Sequence, residues 1–166
     1  MNNVYIIILL MFLFFLFGNY GIHLFFKNRK QKLILSLKDS DYKIIYKVKT
    51  YVTGKSKISY SWRKMRSDLI LMEKNLIIIP YNYNLRGLIK QYQPILQYSF
   101  DSNYKNYSGV SWLMLVDSVE KKDNKIILTY RVRDNFIKSI TITELDFSEK
   151  DIDIDKLIEE NKYFKN

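Results

Sequence analysis

VYIIILLMFLFFLFGNYGIHLFF, residues 4–26, carries no charge beyond what His23 takes up, and it runs straight into Lys27, Arg29, Lys30 and Lys32. Twenty-three helical residues reach roughly 34 Å at about 1.5 Å each, enough to cross a hydrocarbon core of about 30 Å. The stretch reads as one transmembrane helix, and it divides the chain into an anchor at 1–26, a basic juxtamembrane connector at 27–40 and one soluble domain at 41–166. A cleaved secretory signal is the competing reading. It needs a basic segment before the apolar run and a small-residue cleavage site after it. Met1-Asn2-Asn3 supplies no base, the chain has no alanine, and only Gly18 and Gly21 are small. The uncleaved anchor is the better reading.

The flanking charge sets the expected orientation. Four basic residues follow the helix and none precedes it, so the positive-inside bias puts the domain in the cytoplasm. Gly18, Asn19 and His23 read as a helix that has reached the headgroups rather than as a pairing site, since the two glycines do not have GxxxG spacing. In the connector, Leu33, Leu35 and Leu37 alternate, which predicts a short strand or an interfacial segment.

Net charge is +10, carried by lysine far more than by arginine. Residues 1–32 hold +4, residues 33–116 hold +8 and residues 117–166 hold −2. A basic middle beside a bilayer points to anionic lipid headgroups rather than to nucleic acid. The chain has no cysteine, which removes disulfides and thiol chemistry. The only histidine, His23, lies in the apolar run, so a Ser–His or Cys–His pair cannot form in the domain. No phosphate-binding glycine loop is present. Asp151, Asp153 and Asp155 have the spacing of half an EF-hand, but Lys156 and Lys162 stand where glycine and glutamate are needed. No enzyme activity, cofactor or metal is expected. The sequon Asn106-Tyr107-Ser108 carries no weight in a cytoplasmic domain.

Past residue 40 the period is two. Ile44, Tyr46, Val48, Thr50 and Val52 alternate with lysines, a half-buried strand. Ile58, Tyr60 and Trp62 alternate again. Asp68–Met72 and Leu76–Ile79 flank Glu73-Lys74-Asn75 as a hairpin, and Pro80 is expected to end that run. Residues 81–93 read as loop, 94–100 as a strand, and 101–109 as a polar loop. Val110–Val119 and Lys125–Arg133 read as a second hairpin, and Phe136–Leu145 as a last strand. Tyr81, Tyr83, Tyr92, Tyr98, Tyr104 and Tyr107 form either an aromatic docking surface or ordinary strand positions. The period then changes: Ile154, Leu157, Ile158 and Phe164 fit one helical face, with Ser148 and Asp151 as its capping box. The fold class is α+β: an N-terminal transmembrane helix, then a small antiparallel barrel or bent sheet of six or seven strands with a C-terminal α-helix.

That order of elements, with Trp62-Arg63-Lys64-Met65-Arg66 leading into SDLILMEKNLIIIPY at 67–81, resembles the pleckstrin-homology-like superfold, including its GRAM and bacterial PH-like branches. The resemblance implies a headgroup site. Lipid-binding members carry K-x(n)-[K/R]-x-R around the first hairpin, and Lys57 followed by Lys64-Met65-Arg66 fits that form, with Lys55 and Arg63 nearby. Converging cations neutralise a multivalent phosphate, and arginine adds bidentate bonds. The plainer reading of the same residues is a strand edge guarded by lysine against aggregation. The expected function is a non-enzymatic interaction module at the inner membrane face, binding a membrane protein, anionic lipid headgroups or both. The alternative is a structural or accessory membrane protein, of immunity or complex-assembly type, without lipid specificity.

Overall fold

In a computed structural model, which describes residues 2–56, 60–84, 89–101, 105–133 and 138–160, the apolar run and the basic connector form one helix, α1 (Asn2–Ser36). The alternation of Leu33, Leu35 and Leu37 is therefore not a strand. Leu33 and Leu37 are one helical turn apart and 0% exposed, while Leu35 between them points to solvent. No glycine or proline interrupts 27–36, so nothing stops the helix before its apolar face has been used. Val4–Ser36 is long and apolar enough to cross a membrane by length and composition. The described side chains from Val4 to Ile22 are exposed apart from Asn19, a length of roughly 28 Å.

The domain is a curled mixed sheet with nine described strands: β1 (Lys43–Ser56), β2 (Tyr60–Leu71), β3 (Asn75–Asn84), β4 (Ile89–Tyr92), β5 (Leu96–Ser99), β6 (Trp112–Leu115), β7 (Ser118–Lys122), β8 (Lys125–Arg133) and β9 (Lys138–Asp146). The path runs β6-β5-β3-β2-β1-β9-β8-β7, with β4 beside β3. It exceeds the six or seven strands expected, and it is not wholly antiparallel, because β5 and β6 run parallel. Pro80 does not end β3. Its carbonyl accepts from the Gln93 N–H at 2.9 Å, so its own nitrogen faces the same side. There β3 changes partner from β5, at Ile78↔Leu96, to β4, at Tyr81↔Tyr92. A missing donor costs nothing at that break in the ladder.

The sheet buries both faces. Inside the curl lie Val48, Leu69, Ile78, Tyr98, Leu128 and Leu145. Helix α2 (Ile154–Glu160) closes one end with Ile154 and Leu157. Its cap is Asp153, whose Oδ1 accepts from the N–H groups of Asp155 and Lys156 at 3.0 and 3.1 Å. Ser148 is not the cap: its N–H turns back to Asp146 Oδ1 at 2.9 Å. Outside the curl, Ile70, Met72, Ile77, Ile79, Ile95 and Tyr107 form a second cluster with Leu33 and Leu37 of α1.

Val110–Val119 is two strands on opposite edges of the sheet. At the corner between them, the Val116 N–H donates to Ser99 O at 2.9 Å and the Asp117 N–H donates to Thr129 O at 2.8 Å. The edges therefore meet there. The β7–β8 ladder stops at Ser118↔Thr129, and Tyr130–Arg133 pair only with β9 among the described residues. The result is a half-barrel, closed at the α2 end and splayed at the other.

Candidate functional site

The junction of α1 with the sheet is built around Asp68. In β1, Tyr46 and Lys47 together oppose Asp68, a bulge between Ile45↔Leu69 and Val48↔Ser67. Lys47 takes φ 59° there and turns its N–H onto Asp68 Oδ1 at 3.2 Å. The other carboxylate oxygen receives Lys90 Nζ at 3.1 Å and lies 3.8 Å from Lys30 Nζ of α1. Asp68 is 3% exposed, so two ammonium groups from separate elements compensate one buried charge. Lys30 also donates to Tyr92 Oη at 3.1 Å, and His23 stacks on Tyr92 with centroids 6.3 Å apart. Next to Lys30 on α1, Arg29 Nη1 donates to Ser111 Oγ at 3.1 Å and to Val110 O at 3.3 Å.

These contacts fix a direction. Leu37 and Leu33 sit in the cluster with Ile70 and Ile77, Lys30 reaches Asp68, and His23 reaches Tyr92. Going back along α1 is going forward along β3. The N-terminal part of α1 therefore leaves on the side of the fold at which β1, β3 and β8 end, opposite α2.

Of the four juxtamembrane cations, Arg29 and Lys30 are used in this docking, while Lys27 and Lys32 are exposed. Of the five cations expected to gather a headgroup, the four described ones are divided between the two faces of the sheet. Lys57 lies outside the described residues. Arg63 lines the inside of the curl, whereas Lys64 and Arg66 line a hollow on its outer surface. Arg66 is occupied: its Nη1 donates to Glu149 Oε2 at 2.5 Å, and Lys49 Nζ lies 2.6 Å from the other oxygen. Arg66 and then Lys49 hold the Glu149 carboxyl down to about 2, and Glu149 raises Lys49 in return. Glu149 follows β9 at long range from β2, and no spacing rule could have paired it with Arg66.

What does share the outer face is set by register. Lys55 pairs with Ile140, Thr53 with Ile142 and Tyr51 with Lys64. Ile140 and Ile142 are 40% and 39% exposed, and Lys64 Nζ stands 5.8 Å over the Tyr51 ring. This is a basic, aromatic and apolar surface near the end of β1 and the start of β9. Among the tyrosines singled out by sequence, Tyr81, Tyr98 and Tyr107 are buried and Tyr83 is exposed, while Tyr104 lies outside the described residues. They are strand and core positions more than a surface.

The splayed end holds a cavity of about 250 Å³. Val52, Met65, Pro80, Pro94, Leu96 and Tyr130 give it apolar walls, and Ser61, Arg63, Thr141 and Trp112 rim it. No family model, no curated protein and no solved structure matches this chain. Its functional reading rests on this geometry.

Proposed function

We propose that the chain is a membrane-anchored, non-enzymatic interaction module that lays its domain against the anionic inner face of a bilayer. One observation carries this: α1 continues without a break from the apolar run into the domain's own buried cluster, so the domain is clamped to the anchor rather than tethered to it. A clamped domain presents one end to the bilayer. On the side toward which α1 departs stand Lys55, Lys64, Tyr51, Ile140 and Ile142, the mixture of cations and apolar side chains that an interface binds. With Arg66 held by Glu149, recognition is by a diffuse surface rather than by a phosphate pocket of the PH-like kind. The positive-inside bias of Lys27, Arg29, Lys30 and Lys32 supports the cytoplasmic side.

The absence of cysteine makes the test direct. Lys55→Cys and Lys122→Cys, each labelled with a polarity-sensitive dye, are reconstituted as full-length protein into neutral and into anionic vesicles. The Lys55 position is expected to shift to the blue in anionic vesicles only and to lose the shift at high salt, while the Lys122 position, near α2, stays as in water. Identical behaviour of both positions in both vesicles refutes the reading.

A further inference from the structure

The cavity at the splayed end is not explained by the surface just described, because it lies on the opposite face of the sheet. Residues alternate across a strand, so Arg63 points into the curl while Lys64 beside it points out. Arg63 is exposed and, like Lys55 and Lys64, makes no ion pair among the described residues. Behind it the walls are Val52, Met65, Leu96 and Tyr130, and Trp112, 58% exposed, stands at the rim. Its volume of about 250 Å³ falls below the about 300–1,000 Å³ of sites that enclose a whole small molecule. The space suits part of a longer ligand that extends out of it.

The position of the rim says what that ligand is. Arg29 of α1 donates to Ser111 Oγ, and Trp112 is the next residue. The rim thus stands level with the basic turns of α1 that follow the apolar run. We infer that the cleft between β6 and the end of β8 takes the acyl chain of a fatty acid drawn from the adjoining bilayer leaflet, with its carboxylate on Arg63. Charge complementarity fixes the head: a guanidinium with no carboxylate partner among the described residues donates a bidentate pair of hydrogen bonds to one. The apolar walls fix the tail. This inference rests on the reading of α1 as a membrane anchor.

The chain has two tryptophans, so Trp62→Phe leaves Trp112 as the only indole. The full-length W62F protein in phosphatidylcholine nanodiscs is titrated with 9,10-dibromostearate, whose bromines quench indole on contact. The expected result is saturable quenching at a few mole per cent, reversed by oleate. Arg63→Gln weakens the apparent affinity at least fivefold, Arg63→Lys restores part of it, and Val52→Phe, which fills the cleft, abolishes saturation. Quenching that rises linearly with mole fraction and ignores Arg63→Gln overturns the cleft site and leaves the anchor standing, since Trp112 then merely meets bulk lipid. No quenching, with the Lys55 label still reporting the anionic surface, overturns the site alone. No quenching together with a silent label overturns both readings.

Discussion

At the scale of the residue, Asp68 does the most with the fewest atoms, because its two oxygens join a bulge in β1, a lysine of β4 and a lysine of α1. Asp68→Ala strips all three of their acceptor and leaves Lys30 and Lys90 facing each other. The cost expected from losing bonds to charged groups at a buried site is about 1–3 kcal/mol, read as a lower urea midpoint of the full chain in detergent. Asp68→Asn keeps an oxygen for the Lys47 N–H and is expected to cost less; an equal cost for both would place the energy in the ion pairs alone. Glu149 gives a pH prediction. Its folded pKa is depressed from 4.5 to about 2, so its contribution is complete above pH 4.5 and disappears as the pH falls toward 2. Arg66→Ala is expected to move the Glu149 titration up toward 4.5, followed by carboxylate chemical shift. The opposite limit belongs to tyrosine. Burial raises both Tyr98, which shares a hydrogen bond with Thr143, and Tyr81, which the charge of Asp68 raises further. Folded pKa values above the usual 10 mean stability that is whole below pH 10 and is lost as the pH climbs past it.

At the scale of the element, the decisive contact is between α1 and the loop before β6. Gly109 has φ 91°, and a Cβ there would lie 2.2 Å from Arg29 O and 3.0 Å from Leu33 N. Both obstacles are backbone, so Gly109→Ala is expected to push α1 off the sheet rather than be absorbed by a side-chain turn. Leu33→Ala leaves the helix in place and opens a cavity, at about 2–5 kcal/mol. Both variants are read by hydrogen exchange at Ile77 and Ile79, which lie under the helix, with Phe14→Ala as the unaffected control. This element was half legible in the sequence. Length and apolarity gave the helix, but Leu33, Leu35 and Leu37 satisfy a strand period as well as Leu33 and Leu37 satisfy a helical turn, and only the partner surface decides between them. Pro80 misled for a similar reason. Proline ends a strand where its nitrogen needs a ladder partner, and the break between β4 and β5 removes that need. Val110–Val119 holds a strand-like pattern across a corner that takes the chain from one edge of the sheet to the other. Of the cations grouped with the headgroup motif, Lys64 and Arg66 share the outer face, while Arg63, next to Lys64 in sequence, turns inward.

At the scale of the whole molecule, the connector expected at 27–40 packs on the sheet that follows it. The outer cluster of the half-barrel is completed by Leu33 and Leu37, and Asp68 by Lys30, so the last turns of α1 belong to the fold of the domain. A chain of residues 23–166 keeps all of these contacts and loses the largely exposed, apolar part of α1. It is expected to unfold at the same urea midpoint as the full-length protein in detergent. A chain of residues 39–166 bares Ile70, Ile77, Ile79 and Ile95 on one face. It forfeits two buried leucines, each worth about 1.5–3 kcal/mol of burial, against a total of about 5–15 kcal/mol for an ordinary domain. It is expected either to fail to fold or to self-associate through the uncovered strip, which sedimentation distinguishes from a stable monomer. If the 39–166 chain is instead monomeric and as stable as the longer one, α1 only rests on the sheet and the domain swings freely beneath the bilayer. The fixed presentation of Lys55, Lys64 and the Trp112 rim would then be lost with it. The truncation pair therefore measures the one mechanical premise that both proposed binding surfaces share, and it does so without any lipid present.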